Sequence, residues 1–342
     1  MRKIAQNARM SQSSSDLPAI SPSAERFLRA QGIVPALLRA IPGDASTRRY
    51  WRTPCGQVLA QVPDSAELLP FLRVQRRFTA AALPVPQIVA VSLRHGLLLQ
   101  EDIGTCDLKA ALDAGESADA VFTAVFPILQ GLAMAARKHH FRPPLPAYDA
   151  ERLGQELALF PDWYLRRHLA LAPAAIPWHP LGELSRQLVA AAQSQPQVWV
   201  HRDFHARNLL LRPAGAVVMI DFQDAVLGPW TYDLASLLWD RYWDWGRERR
   251  NGWIEAYRQG LGALGVAVPE AESFRDQVEA MALQRNLKIL GIFCRLAYRD
   301  GKGEYLDFLP RFWGYVEDLL AGQADWRPYL PLFQAWSPCA RR

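Results

Sequence analysis

The residues best suited to carry chemistry lie in one stretch, 198–224, which reads VWVHRDFHARNLLLRPAGAVVMIDFQD. Two short apolar runs within it, 209–212 and 217–220, flank a turn and predict a β-hairpin. Asn208 stands just before the first run and Asp221 just after the second. Because antiparallel pairing brings these two ends of a hairpin together, an amide oxygen and a carboxylate should converge there.

A small set of oxygen ligands suits magnesium, which takes its remaining ligands from water and phosphate groups. Asp203 lies five residues before Asn208, in a loop that must turn back beside it. Its carboxylate is therefore suited to accept a proton from an attacking hydroxyl, or to orient that hydroxyl. Taken singly, such residues are more often turn residues or caps, and His201 alone is more often a structural histidine. The combination of Asp203, Asn208, the hairpin and Asp221 favours a catalytic and metal-binding site over unrelated turn residues and caps.

This stretch resembles the catalytic and metal loops of the protein-kinase-like superfamily, including its aminoglycoside and choline kinase-like phosphotransferases. The resemblance implies that Asp203 is the catalytic base and that Asn208 and Asp221 hold Mg²⁺ against the phosphates of ATP. It also implies supporting roles for His201 and for Asp233, which matches the aspartate that braces the catalytic loop through backbone donors.

The acceptor implied is a small molecule. His205 stands where protein Ser/Thr kinases usually carry a lysine, and no Ala-Pro-Glu segment follows Asp221. Instead, the segment 228–238 is expected to begin a helix at once. Without an activation loop, the chain offers no evident platform for a protein substrate.

A closer resemblance covers most of the chain. The segments that carry it are 43–50, 99–104, 221–225, 231–234 and 284–293. They are similar to the bacterial anomeric kinases for N-acetylmuramate and N-acetylglucosamine, which belong to the aminoglycoside phosphotransferase group. The resemblance implies ATP-dependent phosphorylation of the anomeric hydroxyl of an amino sugar in cell-wall recycling.

The same resemblance places the phosphate-covering loop at 43–49 and an adenine-reading hinge at 101–104. The nucleotide-binding residues predicted on this basis are Gly43, Asp44, Ser46, Thr47, Arg48, Arg49, Glu101 and Ile103. The substrate-binding residues predicted from their position beside the catalytic and metal loops, or on the next helix, are His205, Arg207, Gln223, Asp224 and Arg241.

The chain departs from the protein-kinase pattern in its small lobe, where no strand carries a lysine. Gln61 stands about where that lysine is expected, and Glu67 is a possible remnant of its acidic partner. Arg48, Arg49 or Arg52 would have to replace the lysine, or nucleotide binding would be weak.

The acceptor side leaves several questions open. Aromatic residues at 242–245 could form a platform for a sugar or could simply pack in the core, and an arginine could hold the lactyl carboxylate of a muramic acid. Arg285 and Lys288 share one helix and are expected to be surface charges rather than ligand-binding residues.

The elements that must position these residues form an α+β protein of two lobes with a protein-kinase-like fold. We expect a disordered tail at 1–22, a β-rich nucleotide-binding lobe at 23–100, a hinge at 101–104 and a helical lobe at 105–342. Helices are predicted at 65–82, 118–140 and 150–171, and strand pairs at 50–52 with 57–62 and at 88–92 with 97–100.

The composition limits the partners. The net charge is +5, but residues 1–52 alone carry +6, so the remaining 290 residues have no basic excess for a nucleic acid. Four dispersed cysteines favour a reducing cytoplasm, and we expect a monomer without a membrane partner. Two alternatives stay open: another small-molecule phosphotransferase, for an aminoglycoside, an aminoalcohol or another sugar, and a nucleotide-binding regulator that has lost catalysis.

Overall fold

The computed structural model describes residues 20–41, 48–139, 141–212 and 215–337. They divide into two compact units. The first takes its described residues from 1–70 and 86–102, and the second takes them from 71–85 and 103–342.

The first unit contains a five-stranded antiparallel sheet in the order β1-β2-β3-β5-β4. Its elements are α1 (Pro22–Ala30), β1 (Arg39–Ile41), β2 (Arg49–Arg52), β3 (Gln57–Gln61), β4 (Ile88–Ser92) and β5 (Leu97–Glu101). Both predicted strand pairs are confirmed, while β1 adds an edge strand that the sequence analysis did not predict. A small core forms where Leu28 of α1 meets Trp51, Leu59 and Leu99 of the sheet.

The second unit is mainly helical. Its helices are α2 (Leu68–Ala80, of which 71–80 belong to this unit), α3 (Leu108–Asp113), α4 (Ala118–Lys138), α5 (Ala150–Leu159), α6 (Trp178–Gln193), α7 (Tyr232–Leu238), α8 (Gly246–Ala263), α9 (Ala271–Asp300), α10 (Leu309–Gly322) and α11 (Leu330–Gln334). A π-helical segment, Phe160–His168, continues α5 directly. Helices are therefore present at the three predicted positions, 65–82, 118–140 and 150–171. Their observed bounds are 68–80 for α2, 118–138 for α4, and 150–168 for α5 with its π-helical continuation.

Helix α9 is the central element of this unit. Every residue from 278 to 291 is buried, because α9 packs against helices on several sides. A helix covered all round must satisfy its polar side chains internally. This requirement makes α9 important for the site described below.

Helix α4 is long and apolar enough to cross a membrane by length and composition. More than half of its apolar window is buried (56%), and residues such as Val125, Leu129 and Leu132 lie in the core of the second unit. Packing in that core accounts for its apolar composition.

Two strand pairs complete the second unit. Strand β6 (Gln197–Val200) pairs antiparallel with β9 (Val226–Pro229), and β7 (Leu209–Leu211) pairs antiparallel with β8 (Val217–Met219). The expectation that 228–238 begins a helix at once is wrong in detail. The first residues complete β9, because their backbone groups pair with β6, and α7 starts only at Tyr232.

Candidate active site

The β7–β8 hairpin places Asn208 and Asp221 at neighbouring ends of paired strands. Leu209 pairs with Met219, and the N–H of Ile220 donates to the carbonyl of Asn208 at 3.0 Å. This is the convergence that antiparallel pairing predicts. Asp221 has φ of +62°, an uncommon conformation for a residue with a side chain, and such strain is often found at functional sites.

The two side chains present oxygens. The amide nitrogen of Asn208 donates to the carbonyl of Asp203 at 2.9 Å, which leaves the Asn208 Oδ1 as its acceptor for other groups. The exposed Asp221 carboxylate accepts a hydrogen bond from Gln223 at 2.8 Å. In the described part of the chain, no group of three or more His, Cys, Asp or Glu could hold a metal ion. The donor set fits a magnesium ion that takes its other ligands from water and phosphates.

Asp233 holds the backbone of the loop that precedes the hairpin. Its buried carboxylate accepts from the N–H groups of His201 at 2.6 Å and Arg202 at 3.0 Å. Burial raises the pKa of Asp233 to about 6, against the lowering effect of His201 and the two hydrogen bonds. The Nε2 of His201 also hydrogen-bonds the carbonyl of Ile220 at 2.9 Å, so the loop is tied to the hairpin as well.

Arg202 turns inward, with φ of +77°, to a buried charge cluster. Its guanidinium pairs with Glu156 of α5 at 2.6 Å, and Lys288 of α9 pairs with the same carboxylate oxygen at 3.0 Å. The Tyr148 hydroxyl donates to the other oxygen of Glu156, and Lys288 also donates to the Tyr232 hydroxyl at 3.3 Å. The Glu156 carboxylate is therefore shared by two cations, Lys288 and Arg202, and Arg202 immediately precedes Asp203.

The electrostatics around Asp203 keep its carboxylate ionised. Burial by itself would raise the pKa of Asp203, but the positive charge of Lys288, with smaller electrostatic contributions from His205, His201 and Arg202, lowers it below its ordinary value. An ionised carboxylate at neutral pH is able to accept a proton or a hydrogen bond from a hydroxyl.

A second acid supports the loop after Asp203. Asp240, which follows α7, is buried and accepts the N–H of Ala206 at 3.2 Å. Next to Ala206, burial lowers the pKa of His205 to about 4, against the opposing charges of Asp240 and Asp203. His205 is therefore a neutral imidazole at neutral pH.

Among the remaining residues predicted to bind substrate, Gln223 donates to Asp221, and Asp224 is exposed. Arg207 pairs with Asp107 at 3.2 Å and is half-exposed. Arg241 is half-buried, with its guanidinium 5.1 Å from the centre of the Tyr242 ring. The rings at 242–245 pack on one another, with Trp243 and Trp245 stacked at 5.4 Å.

The expectation that Arg285 and Lys288 are surface charges is wrong. Arg285 is 7% exposed and Lys288 is 8% exposed, because α9 is covered on all sides. Together with Glu156 and Tyr148, they are the residues near the site that the sequence analysis missed or misplaced. The signal was present in the sequence: apolar residues flank 284–288 on both sides, which favours a buried position for its polar residues.

The residues predicted to bind the nucleotide are placed only in part. Gly43, Asp44, Ser46 and Thr47 lie outside the described residues. In the first unit, Arg48 pairs with Glu67 at 3.3 Å, Arg52 pairs with Asp102 at 2.7 Å, and Arg49 is exposed on β2. Glu101 ends β5, and Ile103 of the second unit is buried. The amide of Gln61 donates to Ser21 at 3.2 Å.

The α+β fold is that of the kinase-like phosphotransferases, and Asp203, Asn208 and Asp221 lie together in it at one end of the β7–β8 hairpin. Residues 37–274 match the sequence model of the phosphotransferase enzyme family, and the chain belongs to that family. It is an enzyme that transfers phosphate, a kinase. The family, the fold class and the enzymatic class that the sequence analysis predicted are confirmed.

Curated relatives are similar over most of the chain. A protein of Pseudomonas putida named N-acetylmuramate/N-acetylglucosamine kinase is 37% identical over 305 residues, which cover 86% of this chain and 87% of the relative. Proteins of the same name are 37% identical in Pseudomonas aeruginosa (86% of each chain) and 34% identical in Neisseria meningitidis (84% and 87%).

Solved structures show the same fold. A choline/ethanolamine kinase family protein from Mesorhizobium loti aligns with a TM-score of 0.60 and 14% identity, covering 92% of this chain and 98% of the other. The ADP-bound aminoglycoside phosphotransferase APH(2'')-Ib aligns with a TM-score of 0.57 and 13% identity, covering 86% and 97%. At such low identity, the likeness shows the fold alone.

Proposed function

We propose that this kinase transfers the terminal phosphoryl group of ATP to the anomeric hydroxyl of an amino sugar, N-acetylmuramate or N-acetylglucosamine. The observation that carries the proposal is the placement of Asp203, Asn208 and Asp221 around one hairpin end in a chain whose relatives bear that name. The sugar 1-phosphate formed would serve cell-wall recycling in the cytoplasm, and we expect the enzyme to act as a monomer.

Asp203 is proposed as the base for the sugar hydroxyl. Asp233 accepts hydrogen bonds from the N–H groups of the two residues before Asp203, and the amide nitrogen of Asn208 donates to the backbone carbonyl of Asp203. The backbone that carries the Asp203 side chain is thereby held on both sides. Positioning of this kind supplies much of the rate in phosphoryl transfer.

Asn208 and Asp221 are proposed to hold Mg²⁺, which when bound neutralises phosphate charge during transfer. The hydrogen bonds from Asn208 to Asp203 and from Gln223 to Asp221 fix both ligand side chains before any ion arrives. A site oriented in advance loses less side-chain entropy on binding.

The contacts proposed for ATP rest on the phosphate loop, with Gly43, Asp44, Ser46 and Thr47, and on the hinge residues Glu101 and Ile103. The pairing of Arg48 with Glu67 supports the idea that an arginine–glutamate pair replaces the lysine–glutamate pair of protein kinases. We assign Arg48, through this pair with Glu67, and the exposed Arg49 to the triphosphate, while Arg52 pairs with Asp102.

The test is turnover of MgATP with a panel of free amino sugars by the wild-type protein, Asp203→Asn and Asp203→Ala. We expect the wild type to form a sugar 1-phosphate and both variants to lose at least about 1,000-fold in kcat, because the proposed general base is removed. Asp113→Asn, an exposed acid paired with Lys109 on α3, is the matched control and should retain full activity.

Far-ultraviolet circular dichroism of the variants checks that the fold is intact. Wild-type turnover in Asp203→Ala would overturn the assignment of the base. Turnover of aminoglycosides or choline, with none of the amino sugars, would overturn the acceptor.

A further inference from the structure

Two arginines near the loop that carries Asp203 form no ion pair through their guanidinium groups in the part of the chain that the structure describes. Arg285 of α9 is buried, and its Nη1 donates to the carbonyl of Trp239 at 3.4 Å. Arg241 lies two residues after Trp239, with its guanidinium 5.1 Å from the Tyr242 ring centre and 6.0 Å from that of Phe308. Within the described ranges of the chain, neither guanidinium forms an ion pair.

Asp240, between Trp239 and Arg241 in the chain, ties this segment to the catalytic loop, and in the described residues it forms no ion pair with either guanidinium. Its Oδ2 accepts the N–H of Ala206, and its Oδ1 accepts the backbone N–H of Arg241. Both carboxylate oxygens are therefore used by the backbone. The positive charges of Arg241 and Arg285 also contribute to the low pKa of His205, which agrees with their lying near its imidazole.

Two other arginines of the second unit differ from Arg285 because they are paired with carboxylates. Arg250, 4% exposed, pairs with Asp244 at 2.8 Å and with Asp318 at 3.1 Å, and Arg202 pairs with Glu156. A buried guanidinium with one long hydrogen bond to a carbonyl is costly unless an anion approaches it. Among the described residues, Arg285 and Arg241 have no carboxylate paired directly with the guanidinium, and both lie next to the loop that carries Asp203.

We propose that Arg241 and Arg285 form an acceptor subsite that binds a carboxylate of the sugar. The inference rests on the proposed function and adds to it a preference for the acceptor that carries an acid, N-acetylmuramate with its lactyl ether. N-acetylglucosamine lacks that group and would leave the subsite without its anion. The guanidinium groups suit a carboxylate because their N–H donors form a planar fork. An anionic phosphoryl group in transfer has related chemistry, and the experiment separates the two.

The test compares Arg241→Gln and Arg285→Gln with the wild type on three acceptors: N-acetylmuramate, its methyl ester and N-acetylglucosamine. The ester keeps the bulk of the lactyl group and removes its charge. We expect kcat/KM for N-acetylmuramate to fall roughly 10- to 100-fold in each variant, mainly through KM, because a charge-assisted hydrogen bond is lost. Turnover of the ester and of N-acetylglucosamine should stay within about twofold.

Arg249→Gln provides the matched control. Arg249 is half-exposed, pairs with Asp119 at 3.2 Å and lies over Trp253, so its replacement should change no acceptor preference. Retained turnover of N-acetylglucosamine shows that a variant is folded. If Arg285→Gln is unstable, Arg241→Gln still tests the proposal, because Arg241 is only half-buried.

Equal losses on all three acceptors would overturn the carboxylate subsite and assign the arginines to the phosphoryl group. Unchanged preference in both variants would overturn it as well. A wild-type protein that phosphorylates none of the sugars would overturn the proposed function itself, which is a distinct result.

Discussion

At the scale of single residues, Glu156 stabilises the loop that carries Asp203, because it pairs with Arg202 of that loop. Its carboxylate accepts Arg202, Lys288 and Tyr148 in a buried position. Burial would raise the pKa of Glu156, but the charges of Lys288 and Arg202 lower it, so the carboxylate stays ionised. Arg202 in turn has a positive φ, a conformation that costs energy and is maintained because its side chain is held.

We predict that Glu156→Ala destabilises the protein by about 3–5 kcal/mol, because it leaves two buried cations without a counter-charge. Urea unfolding followed by circular dichroism measures the change. Glu183→Ala is the control: Glu183 pairs with Arg186 and Gln187 of its own helix, α6, and its loss should cost about 0–1 kcal/mol. Similar losses in the two variants would contradict the role assigned to the buried cluster.

At the scale of elements, the approach of α9 to α5 sets the position of Lys288 relative to Glu156. Gly291, one turn after Lys288, permits this approach, since a Cβ there would fall on the backbone carbonyl of Leu159 at the end of α5. Backbone cannot move aside as the end of a flexible side chain can. The distance between these helices therefore depends on a residue without a side chain.

Gly291→Ala should accordingly destabilise the fold by about 1–3 kcal/mol through overpacking. Gly314→Ala, in α10, meets nothing within 4 Å and should stabilise by up to about 1 kcal/mol, because alanine is the better helix former. Chemical denaturation of both variants gives the comparison. Stabilisation of both variants would show that α9 and α5 have room between them.

The contrast between the hairpin and α9 shows how far the sequence predicts this structure. Asn208 and Asp221 could be brought together from the sequence because their pairing is local: two apolar runs and one turn determine it. The pairing of Lys288 with Glu156 joins residues far apart in the chain, and no local period indicates which helix faces which. Strands β1 and β9 were missed for the same reason, since both are short and depend on a partner strand.

At the scale of the whole molecule, the basic charge can be assigned only in part. Two of the arginines in the basic segment are already paired, Arg48 with Glu67 and Arg52 with Asp102. Both acids lie outside residues 1–52, so they offset part of the local excess of +6 that this segment carries. This favours a compact anion such as a nucleotide over a polynucleotide, which needs an extended basic surface.

Binding of MgATP should therefore be visible in the stability of the whole protein. A ligand at 100 times its Kd stabilises the native state by about 2.7 kcal/mol, and under the proposed function that gain depends on Mg²⁺ held by Asp221. We predict that Mg²⁺ with ATP raises the Tm of the wild type above that with ATP and EDTA. Asp221→Ala should lose this difference. Asp224→Ala, which removes an exposed acid three residues further on, should keep it, and a Mg²⁺-dependent shift of wild-type size in Asp221→Ala would contradict the assignment of Asp221 as a metal ligand.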